Sequence, residues 1–140
     1  MARVAKLDIN SRFQIDLNLW ETQGRDFRGE LSDAMCDECR NQDTEDEVRV
    51  VDRVDPVTGE VTKLDVAWDC LVGVCATKAN FIPTNMPITR AIFRAFLAEG
   101  NRPMTAVEVH QRIGKRNNPE GILKEIVYKS GLEYNIVPLD

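Results

Sequence analysis

Apolar positions change their period several times along the chain, and each change marks a predicted element. Val4, Leu7 and Ile9, then Phe13, Ile15, Leu17 and Leu19, include a clear spacing of two, which predicts an extended segment with a helical start near Asp16 as the alternative. Gly24 interrupts that pattern. From Arg25 onward Phe27, Leu31, Ala34 and Met35 fall on one helical face, which directs Arg28, Glu30 and Asp33 elsewhere. This helix is expected to deliver Cys36 and Cys39 at its end.

Asn41 to Glu47 holds four acidic residues in seven and no apolar side chain, the composition of a solvated loop. Glu47 to Val54 and Glu60 to Trp68 are rich in Val, Thr and Leu and predict two strands. Between them Asp55-Pro56-Val57-Thr58-Gly59 supplies a proline that fixes φ and a glycine that tolerates positive φ, so the strands should fold back as a hairpin. Asn80, Pro83, Thr84, Asn85 and Pro87 then punctuate a connection from Lys78 to Pro87, with Phe81 and Ile82 expected to dock it onto a core.

The last third has the plainest local signals. Ile88, Ala91, Ile92, Ala95 and Phe96 repeat at three and four residues after Pro87 and predict a helix that Gly100 stops. Thr105-Ala-Val-Glu108 is a capping box, opening a second helix that runs to about Ile113 and ends at Gly114. Asn118-Pro119-Glu120 supplies an N-cap, a first-turn proline and an acidic residue at the positive end of a third helix, carried by Ile122, Leu123, Ile126 and Val127. Gly131 is expected to end it, and Glu133 to Val137 to form a short strand. Three short helices, two of them joined by a tight turn, and then a strand form a winged-helix pattern.

The expected class is therefore α+β: an acidic, zinc-ribbon-like module with a helix and a β-hairpin over residues 1–79, then a winged helix-turn-helix domain over residues 80–140. Charge follows that division. The whole chain carries a formal net charge of −5, but residues 1–79 hold 10 Lys+Arg against 17 Asp+Glu, and residues 80–140 hold 8 against 6. An anionic front half repels a phosphate backbone, which confines nucleic-acid contact to the back half. No apolar run approaches the roughly 18 residues of a membrane span, and the first residues lack the apolar core of a signal peptide, so the expected location is cytoplasmic and no membrane partner is expected.

All four cysteines fall in two pairs, Cys36 with Cys39 and Cys70 with Cys75, on either side of the hairpin. In a reducing compartment such pairs are more often metal ligands or redox groups than structural disulfides. Four thiolates suit a closed tetrahedral site for one structural Zn²⁺, which would shift the net charge from −5 to −7. Buried unligated thiols and redox or iron–sulfur chemistry are the alternatives. The redox alternative is disfavoured because the first pair is expected to follow a helix, and because Asp37 and Glu38 lie between its sulfurs.

His110 is the only histidine and has no evident nucleophile beside it, and no carboxylate spacing sets an acid/base pair apart, so no catalytic residues are assigned and an enzyme is not expected. Trp20 and Trp68 are expected to anchor the front-half core. Arg112, Lys115, Arg116 and Asn117, at the turn into the third helix, and Lys124 on it form the candidate DNA-contacting set. Residues 87–139 resemble the winged-helix superfamily through Thr105-Ala-Val-Glu108, Asn118-Pro119-Glu120 and Glu133-Tyr-Asn-Ile-Val137. Residues 36–75 resemble zinc-ribbon modules through the cysteine pairs alone. The combination is similar to small transcription-associated proteins such as the general factor E family of archaea and eukaryotes, although the two modules stand in the reverse order here. That resemblance implies a zinc-containing, DNA-binding regulatory protein acting on double-stranded DNA; a non-catalytic adaptor that docks a protein partner or a second copy of itself is the alternative.

Overall fold

The computed structural model describes residues 6–42 and 50–139. Val4, most of the acidic loop and the start of the first hairpin strand lie outside those residues. The front half begins with β1 (Arg12–Ile15), where Phe13 and Ile15 are buried as the alternation predicts. The alternation does not persist through Leu17 and Leu19, because the Asp16 carboxylate accepts the N–H of Leu19 and caps α1 (Leu17–Thr22), a helix that buries Trp20 instead. After α2 (Phe27–Ala34) the chain extends at Met35, so Cys36 and Cys39 are not carried on the end of that helix. A separate short helix, α3 (Asp37–Gln42), begins immediately after Cys36 and contains Cys39, and it takes in the first two residues of the expected acidic loop.

The hairpin forms from β2 (Val50–Val54) and β3 (Val61–Asp65), with Val54 opposite Val61 and Val51 opposite Leu64. Its turn is held by the Asp55 carboxylate, which accepts the N–H of Val57 at 2.8 Å, and by Gly59 at φ +75°. The second strand stops short of the expected Trp68. Asp65 turns its carboxylate onto the N–H of Ala67 at 2.7 Å, and this N-cap starts α4 (Val66–Gly73) in the middle of the apolar run. A 3₁₀ turn, Cys75–Thr77, follows.

In the back half α5 (Ile88–Ala98) has seven buried residues out of eleven. It leads to β4 (Met104–Thr105) and α6 (Ala106–Arg112), whose capping box forms as predicted: the Glu108 N–H donates to Thr105 Oγ1 at 3.2 Å, and the Thr105 N–H donates to Glu108 Oε1 at 3.0 Å. Asn118 caps α7 (Pro119–Glu125) through the N–H of Gly121. The helical path then runs through a π turn, Ile126–Ser130, into α8 (Gly131–Tyr134), before β5 (Ile136–Pro138). Gly131 therefore does not end the helix. A Cβ there would lie 2.2 Å from the Ile126 carbonyl oxygen and 2.8 Å from that of Ile136, so glycine is required by close backbone approach, and the helix ends at Asn135, with φ +57°.

The back-half sheet has the order β4-β1-β5, antiparallel throughout. Its central strand comes from residues 12–15, so the segments on either side of residue 79 share one sheet. Where β4 stops, the Asn101 side chain continues the ladder: Oδ1 accepts the Ile15 N–H at 2.8 Å, and Nδ2 donates to the Ile15 carbonyl at 3.0 Å. A single apolar cluster also runs across both segments. Trp20 and Trp68 are buried as expected, yet they anchor the two halves to each other rather than the front half alone. Trp68 Nε1 donates to the Leu97 carbonyl at 2.9 Å, and Trp20 Nε1 to that of Tyr134 at 2.8 Å. The architecture is α+β, a mixture of helices and two small sheets, and no helix among the described residues is long and apolar enough to cross a membrane.

An interior helical glycine replaced by alanine ordinarily gains about 1 kcal/mol. At Gly131 the sign should invert: G131A is expected to lose about 1–3 kcal/mol through overpacking, measured by urea denaturation against the parent chain.

Candidate functional site

The two cysteine pairs meet between α3, α4 and the 3₁₀ turn. Cys36 lies in the short link after α2, Cys39 inside α3, Cys70 inside α4 and Cys75 at the start of the 3₁₀ turn. Three side-chain contacts hold these pieces in place. Arg40 donates to the carbonyls of Ser32 and Met35, fastening α3 to the end of α2. Lys78 Nζ reaches Glu38 Oε1 at 3.0 Å, joining the two cysteine-bearing segments across the site. Asp65, which caps α4, also pairs with Arg28 of α2.

The sulfurs of Cys36, Cys39 and Cys75 all lie within 4.8 Å of one another, close enough to hold a metal ion. The fourth, Cys70, is bonded to Cys39 as a disulfide, and Cys36 and Cys75 are free thiols 2.9 Å apart at sulfur. Each couple joins one member of the first pair to one member of the second. Cys39 and Cys75 are 0% and 2% exposed, whereas Cys36 is half-buried. The Cys36 thiol is held below its ordinary pKa, first by the hydrogen bond from Cys75 and then by backbone N–H groups and Lys78. Burial, followed by that same bond, pushes Cys75 up to about 11.

An all-sulfur donor set that is largely buried fits a soft or borderline metal with no open position, and tetrahedral Zn²⁺ with Zn–S near 2.3 Å places its sulfurs about 3.8 Å apart. A four-thiolate shell additionally requires Cys39 and Cys70 to be reduced, since both are occupied by their bond to each other. The structure also revises the argument against redox chemistry. The first pair opens a helix rather than following one: the Arg40 N–H already donates to the Cys36 carbonyl at 2.9 Å, as the first turn of α3.

The candidate DNA-contacting residues gather at the junction of α6 and α7, but not as one free set. Arg112 is committed inward, with Nε 3.2 Å from Glu99 Oε2 and Nη2 donating to the Ala76 carbonyl at 3.2 Å, beside Cys75. Lys115 and Asn117 sit in the turn at φ +61° and +63°, both exposed, and the Asn117 carbonyl lies 3.1 Å from His110 Nε2. Arg116 is half-buried, with Nη1 lacking a hydrogen-bond partner, and Lys124 is exposed on α7.

Two features escaped the sequence. A cleft of about 930 Å³ opens under the hairpin, floored by Phe27, Leu31 and Trp68 and edged by charged side chains including Arg28, Asp65 and Arg102. Tyr128 and Leu132, four residues apart on the last helical stretch, are 70% and 74% exposed. The hairpin and the apolar runs signal elements, but the space left between elements has no sequence signature. No protein-family model, curated protein or solved structure matches the chain.

Metal-free protein kept from reductant is expected to titrate two thiols per chain after denaturation and four after reduction, with peptide mapping linking Cys39 to Cys70. Four thiols without reduction would contradict that bonding.

Proposed function

We propose that the chain is a DNA-binding protein of winged-helix type, in which the α6–α7 unit contacts the duplex and the reduced cysteines hold a structural Zn²⁺. The observation that carries the DNA reading is electrostatic. Most arginines and lysines of the described residues lie within reach of a carboxylate, as in Arg28–Asp65, Arg53–Asp69, Lys63–Asp52, Lys78–Glu38, Arg90–Asp33 and Arg102–Glu99. Among the described residues Lys6, Arg12, Arg25, Arg94, Lys115, Arg116 and Lys124 have no such partner. Arg25 and Arg94 lie over the rings of Trp20 and Phe81 and donate to backbone carbonyls, whereas Lys115, Arg116 and Lys124 gather on the turn and helix that a winged helix presents to DNA. Cations left uncompensated on an acidic protein are the footprint expected of phosphate binding. Arg112 drops out of the contact set because its guanidinium serves Glu99 and Ala76. Asn117 can add a neutral hydrogen bond to phosphate or base.

The zinc reading rests on the donor set: four cysteines, two of them almost wholly buried, gathered by separate elements at one point. Such a site has no position for substrate, so the metal stabilises the junction of α3 with α4 rather than performing chemistry. A second reading is favoured by one observation, the exposed Tyr128 and Leu132, which suit docking of another protein better than contact with a phosphate backbone.

A titration of a mixed-sequence duplex tests the first reading. Three phosphate contacts give a slope of log K against log salt near −2.7, or about a 40-fold loss of affinity between 50 and 200 mM salt. Replacing Lys115 with Asn, which accepts the positive φ, and Lys124 with Gln should each flatten the slope by about 0.9 without altering the melting temperature. No duplex binding at low salt, together with a dimer or a bound protein that is lost on Tyr128→Ser with Leu132→Ser, decides for the second reading.

A further inference from the structure

The cysteine centre holds its four sulfurs as two couples, and each couple spans the two sequence pairs: Cys39 is bonded to Cys70, and Cys36 lies against Cys75. Neither pair closes on itself. Three of the sulfurs, those of Cys36, Cys39 and Cys75, lie within 4.8 Å of one another, close enough to hold an ion, and the fourth, Cys70, is bonded to Cys39. Disulfide bonding and metal binding compete for the same electrons, because a sulfur sharing a pair with another sulfur is no longer a thiolate donor. The surrounding framework serves either state. Arg40 fastens α3 to α2, Lys78 bridges to Glu38, and Asp65 caps α4, and none of these bonds involves a sulfur. Access is uneven: Cys39 and Cys75 are buried, while Cys36 and Cys70 are half-buried.

We propose that this centre is a redox-gated metal site, in which the Cys39–Cys70 disulfide and a bound Zn²⁺ are alternative states of the same four cysteines. The proposal rests on the zinc reading above and adds its regulation. In the reducing direction, a dithiol attacks the Cys39–Cys70 bond to form a mixed disulfide, and its second thiol then resolves it. Two electrons and two protons pass to the protein, the dithiol leaves as a disulfide, and Cys39 and Cys70 become thiols. Zn²⁺ then enters and the four thiols release four protons to solvent. In the oxidising direction a peroxide is the acceptor. One thiolate of the Cys39–Cys70 couple attacks a peroxide oxygen and becomes a sulfenic acid, and the other displaces hydroxide to close the disulfide. The peroxide is thereby reduced to two waters with uptake of two protons, and Zn²⁺ leaves because only Cys36 and Cys75 remain as donors.

The experiment uses the whole chain, phosphine-reduced, freed of phosphine and metal under inert gas, then loaded with ZnCl₂ and challenged with one equivalent of hydrogen peroxide in the presence of a chromogenic chelator. About one zinc per chain should bind on loading, about one should be released by peroxide with loss of two thiols, and mapping should find Cys39 linked to Cys70. A dithiol followed by fresh zinc should restore the loaded state. If the reduced chain takes up no zinc, the zinc reading fails and the gate fails with it. If zinc binds but peroxide consumes thiols without releasing it, or the released protein is linked through other cysteines, the gate alone is overturned and the structural zinc stands.

Discussion

Helix α5 imposes the constraint on which the rest of the structure depends. Seven of its eleven residues are buried, among them Ile92, Phe93, Phe96 and Leu97, so all but the side carrying Arg90 and Arg94 must be covered by other elements. Neither half of the chain can cover it alone. Phe93 stacks on Tyr134 at 4.1 Å on one side and lies 6.1 Å from Trp20 on the other, while Phe27 bridges Trp20 and Trp68. The two indole N–H groups would be unpaired donors in this interior, and each is satisfied by a backbone carbonyl of the back half. A change in charge along the sequence thus coincides with no break in the core.

What could be read from the sequence was whatever depends on neighbours within a few residues. The capping box at Thr105, the Asn118 cap, the Asp55 turn and the helical period before Gly100 are short-range bonds, and all are present. Local signals failed where two of them competed. Asp65 inside a valine-rich run is both a poor strand residue and a good N-cap, and the cap prevails because α4 then buries Trp68 and Leu71. Asp16 repeats the same contest against an alternating pattern, with Trp20 as the residue gained. Gly131 misleads for a different reason: it resembles a terminator, and its missing side chain is needed for a backbone approach to Ile126 and Ile136 that only the tertiary fold creates.

The cysteine centre was legible as a convergence and illegible as a pattern of bonds. Spacing within each pair says that the sulfurs are neighbours; it says nothing of which sulfur faces which across 30 or more intervening residues. The basic surface shows the complementary failure. Arg112 belongs to the same short run as Lys115 and Arg116, but the carboxylate that neutralises it, Glu99, sits at the end of another helix. Its second bond, to the Ala76 carbonyl, places the end of α6 one residue from Cys75, so the α6–α7 unit rests directly on the wall of the cysteine centre.

The placement of β1 bears on how the chain is made. Arg12 to Ile15 are synthesised well before their partners, residues 104–105 and 136–138. The central strand must therefore wait, with Phe13 and Ile15 unpaired, until residues 136–138 have left the ribosome. Long sequence separation of this kind slows folding and prolongs the exposure of unpaired strand edges.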